Sequence, residues 1–231
     1  MTLAVAPRLV LKTLLASIAV LAVLHGVMVA AHHGFGDTGF LKLRALFDLN
    51  REQNIPTLFS TLQLALASAL LALMFLLAGR NNWSGRYYWG GLALIFAFLA
   101  GDEFCEWHET LIAPMREHFQ VSGALSFGWV IPYSALVLLF AAGYARFWWE
   151  LPKQTRWLFA LSAVIFVGGG IGMEMVGSYL FTLYGWESVQ FDVQTMLEES
   201  LEMSGVALFV YALLCHLRDR VGALAIRLES A

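Results

Sequence analysis

The chain has 231 residues, of which 59% are apolar and only 13% charged, with a net charge of −3. Soluble domains are typically about 45–50% apolar and about 25% charged, so this composition belongs to a protein built into a bilayer. The small net charge and the lack of a Lys/Arg run speak against a nucleic-acid partner.

A membrane-crossing helix needs about 20 mostly apolar residues. Six stretches qualify, at 9–31, 57–79, 87–109, 125–147, 157–181 and 195–217. The expectation is an all-α protein: a single transmembrane domain over residues 1–231, folded as a six-helix bundle. The first stretch, with Lys12 ahead of the apolar run and small residues at Ala30 and Ala31, also admits a reading as a cleaved signal peptide, but it is longer than the usual h-region of about 7–15 residues. Residues 32–56 form the longest link, containing Phe47-Asp48-Leu49-Asn50 and ending at Pro56, which suits the first turn of the second span. The third span runs into Gly101-Asp-Glu-Phe-Cys-Glu-Trp-His-Glu109. The fifth carries Glu174 between Met173 and Met175, among glycines at 168–170, 172 and 177 that suit close helix packing. The sixth opens on Glu198-Glu199-Ser-Leu-Glu202. Cys105 and Cys215 fall near opposite faces, so no disulfide between them is expected.

Orientation follows from the basic residues. Arg8, Lys12, Arg80, Arg86, Arg146, Lys153, Arg156, Arg218, Arg220 and Arg227 share one side, against Lys42, Arg44, Arg51 and Arg116 on the other. The richer side is expected to be cytoplasmic, with both termini inside. The acidic residues divide the opposite way, for all but Glu150, Asp219 and Glu229 lie in the outer half or its loops.

Counting 1.5 Å per residue from each span's inner basic residue gives a depth. Arg86 to Asp102 is ~24 Å, Arg156 to Glu174 ~27 Å, Arg218 to Glu202 ~24 Å and Arg8 to His25 ~25 Å. Helices that run in alternating directions thus put ionisable groups in one layer, near the outer edge of a hydrocarbon core ~30 Å thick. Thr61 and Gln63 reach similar heights. Asp102, Cys105, Glu106 and Glu109 share one helical stripe at i, i+3, i+4, i+7, while Glu103 and His108 fall off it.

Asp102, Glu103, Glu106, Glu109, Glu174, Glu198, Glu199 and Glu202 are then in one layer, with no Lys or Arg beside them. Buried carboxylates of like charge either take up protons or bind a cation, and Glu with His is a common ligand set in helical bundles. The expected metal ligands are Asp102, Glu106, His108, Glu109, Glu174, Glu199 and Glu202, with His25 as a further candidate. Iron, manganese or zinc would suit them; copper fits less well, since Met173 and Met175 form no Met-rich motif. There is no Glu-x-x-His pair of the soluble di-iron kind and no HExxH. Plainer readings stay open at this point. The third span could end near Ala100 and leave its charges in water. Glu198 and Glu199 could be first-turn residues suited to the helix dipole, Glu174 a protonated packing residue and His25 a hydrogen-bonded core histidine. Asp48, Glu52 and Asp192 read most simply as loop residues.

The run Asp102-Glu103-x4-His108-Glu109, the stretch from Phe47 to Thr57 and the Glu198-Glu199-x-x-Glu202-x-x-Gly205 of the last span resemble a group of small multi-pass bacterial membrane proteins that have no assigned role. The resemblance implies a bacterial inner (cytoplasmic) membrane location and no activity. Functionally, the expected class is a metal-dependent oxidoreductase or hydrolase acting on a lipid or other membrane-soluble substrate. A proton or cation transporter or channel is the first alternative, and a non-catalytic subunit that binds a membrane-protein partner is the second.

Overall fold

The computed structural model describes residues 6–36 and 41–222, the side chains of Leu41 and Lys42 excepted. Lys42 and Arg227, used above for orientation, and Glu229 lie outside the described side chains. The regular structure among the described residues is all helical, with no strand. In chain order they form α1 (Pro7–Phe35), α2 (Leu41–Phe47), α3 (Ile55–Arg80), α4 (Arg86–Cys105), α5 (Ile112–Phe119), α6 (Val130–Glu150), α7 (Lys153–Val167), a π-helical turn (Gly168–Met173), α8 (Glu174–Tyr184) and α9 (Val189–Val221). Among them, six helices are long and apolar enough to cross a membrane, with α7, the π turn and α8 acting as one continuous rod.

Local chemistry explains the helix ends. Pro7 and Pro56 sit in the first turns of α1 and α3, where no N–H is needed. Asn54 caps α3 by accepting from the Thr57 N–H at 3.1 Å, and Ser188 caps α9 by accepting from the Phe191 N–H at 3.3 Å. At the other end of α4, Glu106 adopts a left-handed backbone (φ 56°) and its N–H closes on the Asp102 carbonyl at 2.8 Å. The helix therefore stops at Cys105, not at 109. The stripe drawn through Asp102, Glu106 and Glu109 does not exist, because residues past 105 leave the helical screw. Other spans also start elsewhere than predicted: the fourth begins at Val130 instead of 125, after a 3₁₀ turn at Gly123–Leu125, the fifth at Lys153 instead of 157 and the sixth at Val189 instead of 195.

α9 is the central column, with α1, α3 and the α7–π–α8 rod packed around it and α4 laid against α3. Close approach of the rod needs glycine. A Cβ on Gly205 would stand 2.7 Å from the Phe166 backbone nitrogen, and one on Gly169 would stand 2.9 Å from Glu202 Cγ. The half of the bundle at the end that holds most of the basic residues is filled by Leu71, Met74, Trp89, Phe159, Val210 and Leu213. α6 is the outermost helix and buries only Val130 and Phe147.

Candidate functional site

At the opposite end the bundle is polar. Glu199 and Glu202 sit one turn apart, three to four turns inside α9, where the carboxyl groups acting most strongly on Glu199 are Glu103, Glu202, Glu52 and Glu174. For Glu202 they are Glu103, Glu174, Glu52 and Asp102. Seven acidic side chains thus act on one another electrostatically: Glu52, Asp102, Glu103, Glu174, Glu198, Glu199 and Glu202. They come from the α2–α3 link, α4, α8 and α9. Because α9 starts at Val189, Glu198 and Glu199 are interior residues and not first-turn ones.

The π turn places Glu174. Its extra residue per turn lets Gly169 and Gly170 lie against Glu202 and the Glu198 carbonyl, a kind of insertion often found at functional positions. Glu174 Oε1 accepts a hydrogen bond from the Trp129 indole at 2.8 Å. Glu174 is also the carboxyl group that acts most strongly on Glu198. Gln194 Nε2 donates to Glu198 Oε2 and to the Met173 carbonyl, both at 2.8 Å, tying the π turn to α9.

A second group forms the rim. Asp102 is buried and accepts from the His108 N–H at 2.9 Å and the Tyr133 hydroxyl at 3.0 Å, while His108 Nδ1 stands 3.4 Å from its second oxygen. Burial alone would lower His108, but the hydrogen bond and charge of Asp102, with Glu109 and Glu174 beyond, outweigh it and hold the imidazole above its usual range. The ring packs at 4.9 Å from that of Trp129. Glu109 is exposed at the start of a 3₁₀ turn (Glu109–Leu111), and Glu106, just past the end of α4, is 3.4 Å from Gln53 Nε2.

Glu52, read from sequence as a loop residue, reaches the cluster from the segment after α2. Burial raises its carboxyl to about 7, with Glu103 and Glu106 adding to the shift and the Thr57 hydroxyl (2.9 Å) and His108 opposing it. Asp48 and Asp192, also read as loop residues, are buried and hold this segment in place. Asp48 pairs with Arg44 and Arg51 at 3.4 and 3.6 Å, which commits two of the cations at this end of the molecule. His25, only 1% exposed, accepts the Leu49 N–H on Nδ1 at 3.0 Å and donates from Nε2 to the Asp192 carbonyl at 3.3 Å. His33 Nε2 meets Asp192 Oδ2 at 2.8 Å. Both nitrogens of His25 are therefore engaged in a clamp between α1, the link and α9, and it is not brought into the carboxylate group.

The structure thus gathers Asp102, His108, Glu174, Glu199 and Glu202 of the residues expected from sequence, leaves Glu106 and Glu109 at the margin and sets His25 apart. Glu103 and Glu198, placed in the layer from sequence but not among the expected ligands, join them, and Glu52, Trp129 and Tyr133 are new. Among the described residues, no three His, Cys, Asp or Glu side chains stand close enough together to hold an ion as they are. Cys105 and Cys215 are both free.

Neither the curated proteins nor the solved structures contain a match to this chain. A family description does match residues 13–217, nearly the whole bundle with every member of the acidic cluster, under the heading domain of unknown function, DUF8692. The protein belongs to that family.

Proposed function

We propose that the acidic layer is a cation-binding centre of a membrane enzyme that acts on a membrane-soluble substrate, with both termini and the basic end in the cytoplasm of a bacterial cell. The observation that carries this reading is the gathering of seven carboxyl groups from four separate elements, among which Glu198, Glu199 and Glu202 have other carboxyl groups as their strongest ionisable neighbours. Such a set costs several kcal/mol to desolvate unless protons or a cation neutralise it. Arg44 and Arg51 are spent on Asp48. A divalent ion held there would act as a Lewis acid toward a substrate oxygen. The chain's own contribution is proton handling, with Asp102 orienting His108 and Tyr133 at the rim.

Substrate access is consistent with the location. A groove of about 540 Å³ opens between α1 and α3, lined by Leu21, Leu24, Phe47, Ile55 and Phe59 among others. Phe47 and Ile55, which flank the link that carries Glu52, are among its lining residues. A transporter would need polar groups continuing towards the basic end, and that half is packed with Leu71, Met74, Val210 and Leu213.

Elemental mass spectrometry on detergent-purified protein tests the reading, beside a Glu174→Gln, Glu202→Gln double variant. Near-stoichiometric iron, manganese or zinc in the parent and its loss in the variant are expected. Two preparations that are both free of metal after mild purification would end the metal reading and turn attention to proton flux.

A further inference from the structure

The groove of about 540 Å³ between α1 and α3 is polar at one end only. Lys12, Thr13 and Ser17 line it towards the basic half of the molecule, and the remaining lining side chains are all apolar. From Lys12 to Leu24 its wall follows α1 for ~18 Å. That is close to the depth of one leaflet, ~15 Å in a hydrocarbon core ~30 Å thick. At the acidic end α2 packs on both α1 and α3, and Phe47, Ile55 and Phe59 offer no polar group. A charged head would be stripped of water there without compensation, whereas a hydrocarbon chain would not.

The charge at the basic end of the groove is unspent. Lys12 is exposed, and among the described residues it has no ion-pair partner and the hydroxyls of Thr13 and Ser17 have no hydrogen-bond partner. Arg8, one turn earlier on the same face of α1, is equally without an acid among the described residues. Other cations at this end are engaged: Arg146 with Glu150 at 3.1 Å, Arg218 with Asp219 at 2.8 Å and Arg156 over the Trp149 ring at 4.8 Å. A second copy of the chain would have little to set against Lys12, because Glu150 and Asp219, the described acids at this end, are already paired. An amphiphile with an anionic head and an apolar tail matches both ends of the groove, and basic pockets between spans suit phospholipid heads.

We propose that the groove seats one anionic phospholipid. Its phosphate lies on Lys12, with the Thr13 and Ser17 hydroxyls donating to it, and one acyl chain runs along Leu21 and Leu24 to Phe47. The inference goes beyond the cation-centre reading and does not need it, since the head is held at the end of the molecule opposite the acidic layer.

The test is native mass spectrometry of the full-length, delipidated protein in mild detergent, titrated with dioleoyl phosphatidylglycerol or dioleoyl phosphatidylcholine. One tightly bound phosphatidylglycerol is expected, with phosphatidylcholine clearly weaker. Lys12→Gln is expected to weaken phosphatidylglycerol about fivefold, the worth of one cation near a membrane surface. Lys12→Arg is expected to keep the parent's affinity, an outcome that misfolding cannot mimic. Lys153→Gln, which removes another exposed cation at the same end, is expected to change nothing, and Ala16→Trp, which fills the groove wall, to expel the lipid. A Lys12→Gln variant that binds like the parent, or equal losses in Lys12→Gln and Lys153→Gln, would overturn the seat, the latter by showing attraction to the surface alone. Equal affinity for the two lipids would overturn the role of charge and with it the proposal. So would a dimer that Ala16→Trp dissociates, which would give the groove to a second copy.

Discussion

Glu52 shows how one environment sets a side chain's behaviour. Its carboxyl, raised to about 7 chiefly by burial and next by Glu103, would titrate near 4.5 in the unfolded chain. Between those values the unfolded state has released its proton and the folded state has kept it, so stability falls as pH rises through that window. In chelator-treated protein, the thermal midpoint of the parent is expected to decline between about pH 4.5 and 7 more steeply than that of Glu52→Gln. Parallel curves would show that Glu52 does not titrate this way. The sequence did not reveal this residue, since an acid between Arg51 and Gln53 in a link looks solvated. Only the clamp of Asp48, His25 and Asp192 turns it inward. His25 itself was found by depth, because it lies at the right height, but depth says nothing about which neighbour its nitrogens meet. Replacing it (His25→Ala) leaves the Leu49 N–H without its partner, at about 1–3 kcal/mol, and removes the second contact of the Asp192 carbonyl. Faster hydrogen exchange confined to 48–54 is the expected signature, and unchanged exchange there would argue against the clamp.

At the level of elements, the six spans were legible because hydropathy over about 20 residues is a strong signal. Their ends were not. The left-handed turn at Glu106 is a backbone choice that no periodicity announces, and it moves His108 from the helix to the Asp102 rim. Gly169, Gly170 and Gly177 were read correctly as packing residues, whereas Gly168 and Gly172, read the same way, have nothing within 4 Å, and the π turn over Gly168–Met173 was not foreseen. Here position matters more than residue type. Gly169→Ala would drive a Cβ to 3.0 Å from the Glu202 backbone nitrogen and 3.1 Å from the Glu198 carbonyl, where neither can yield, whereas Gly172 has open space around it. Gly169→Ala is expected to cost about 1–3 kcal/mol as overpacking and to weaken metal retention, and Gly172→Ala to do neither. Thermal unfolding in detergent with a metal assay on both variants decides, and equal effects would mean that the π turn does not set the Glu202 geometry.

The whole molecule is polarised along the helix axes, and this was visible in the sequence because charge at span ends survives any error in span boundaries. Arg80, Arg86, Arg146, Lys153, Arg156, Arg218 and Arg220 mark one end, while the carboxylates, the Glu52 link and the α8–α9 turn mark the other. Lys and Arg resist translocation far more than Asp and Glu do, so the basic end is expected to stay in the cytoplasm and the acidic centre to face the outer side. Cysteine labelling measures this directly. In a Cys105→Ser background, which removes the exposed native thiol and leaves Cys215 buried, Glu187→Cys at the acidic end and Gln154→Cys at the basic end both place a thiol at an exposed position. A membrane-impermeant maleimide added to intact cells should label the first at once and the second only after permeabilisation. The reverse pattern would put the carboxylate centre on the cytoplasmic side, where its cation and substrate would be drawn from the cell interior.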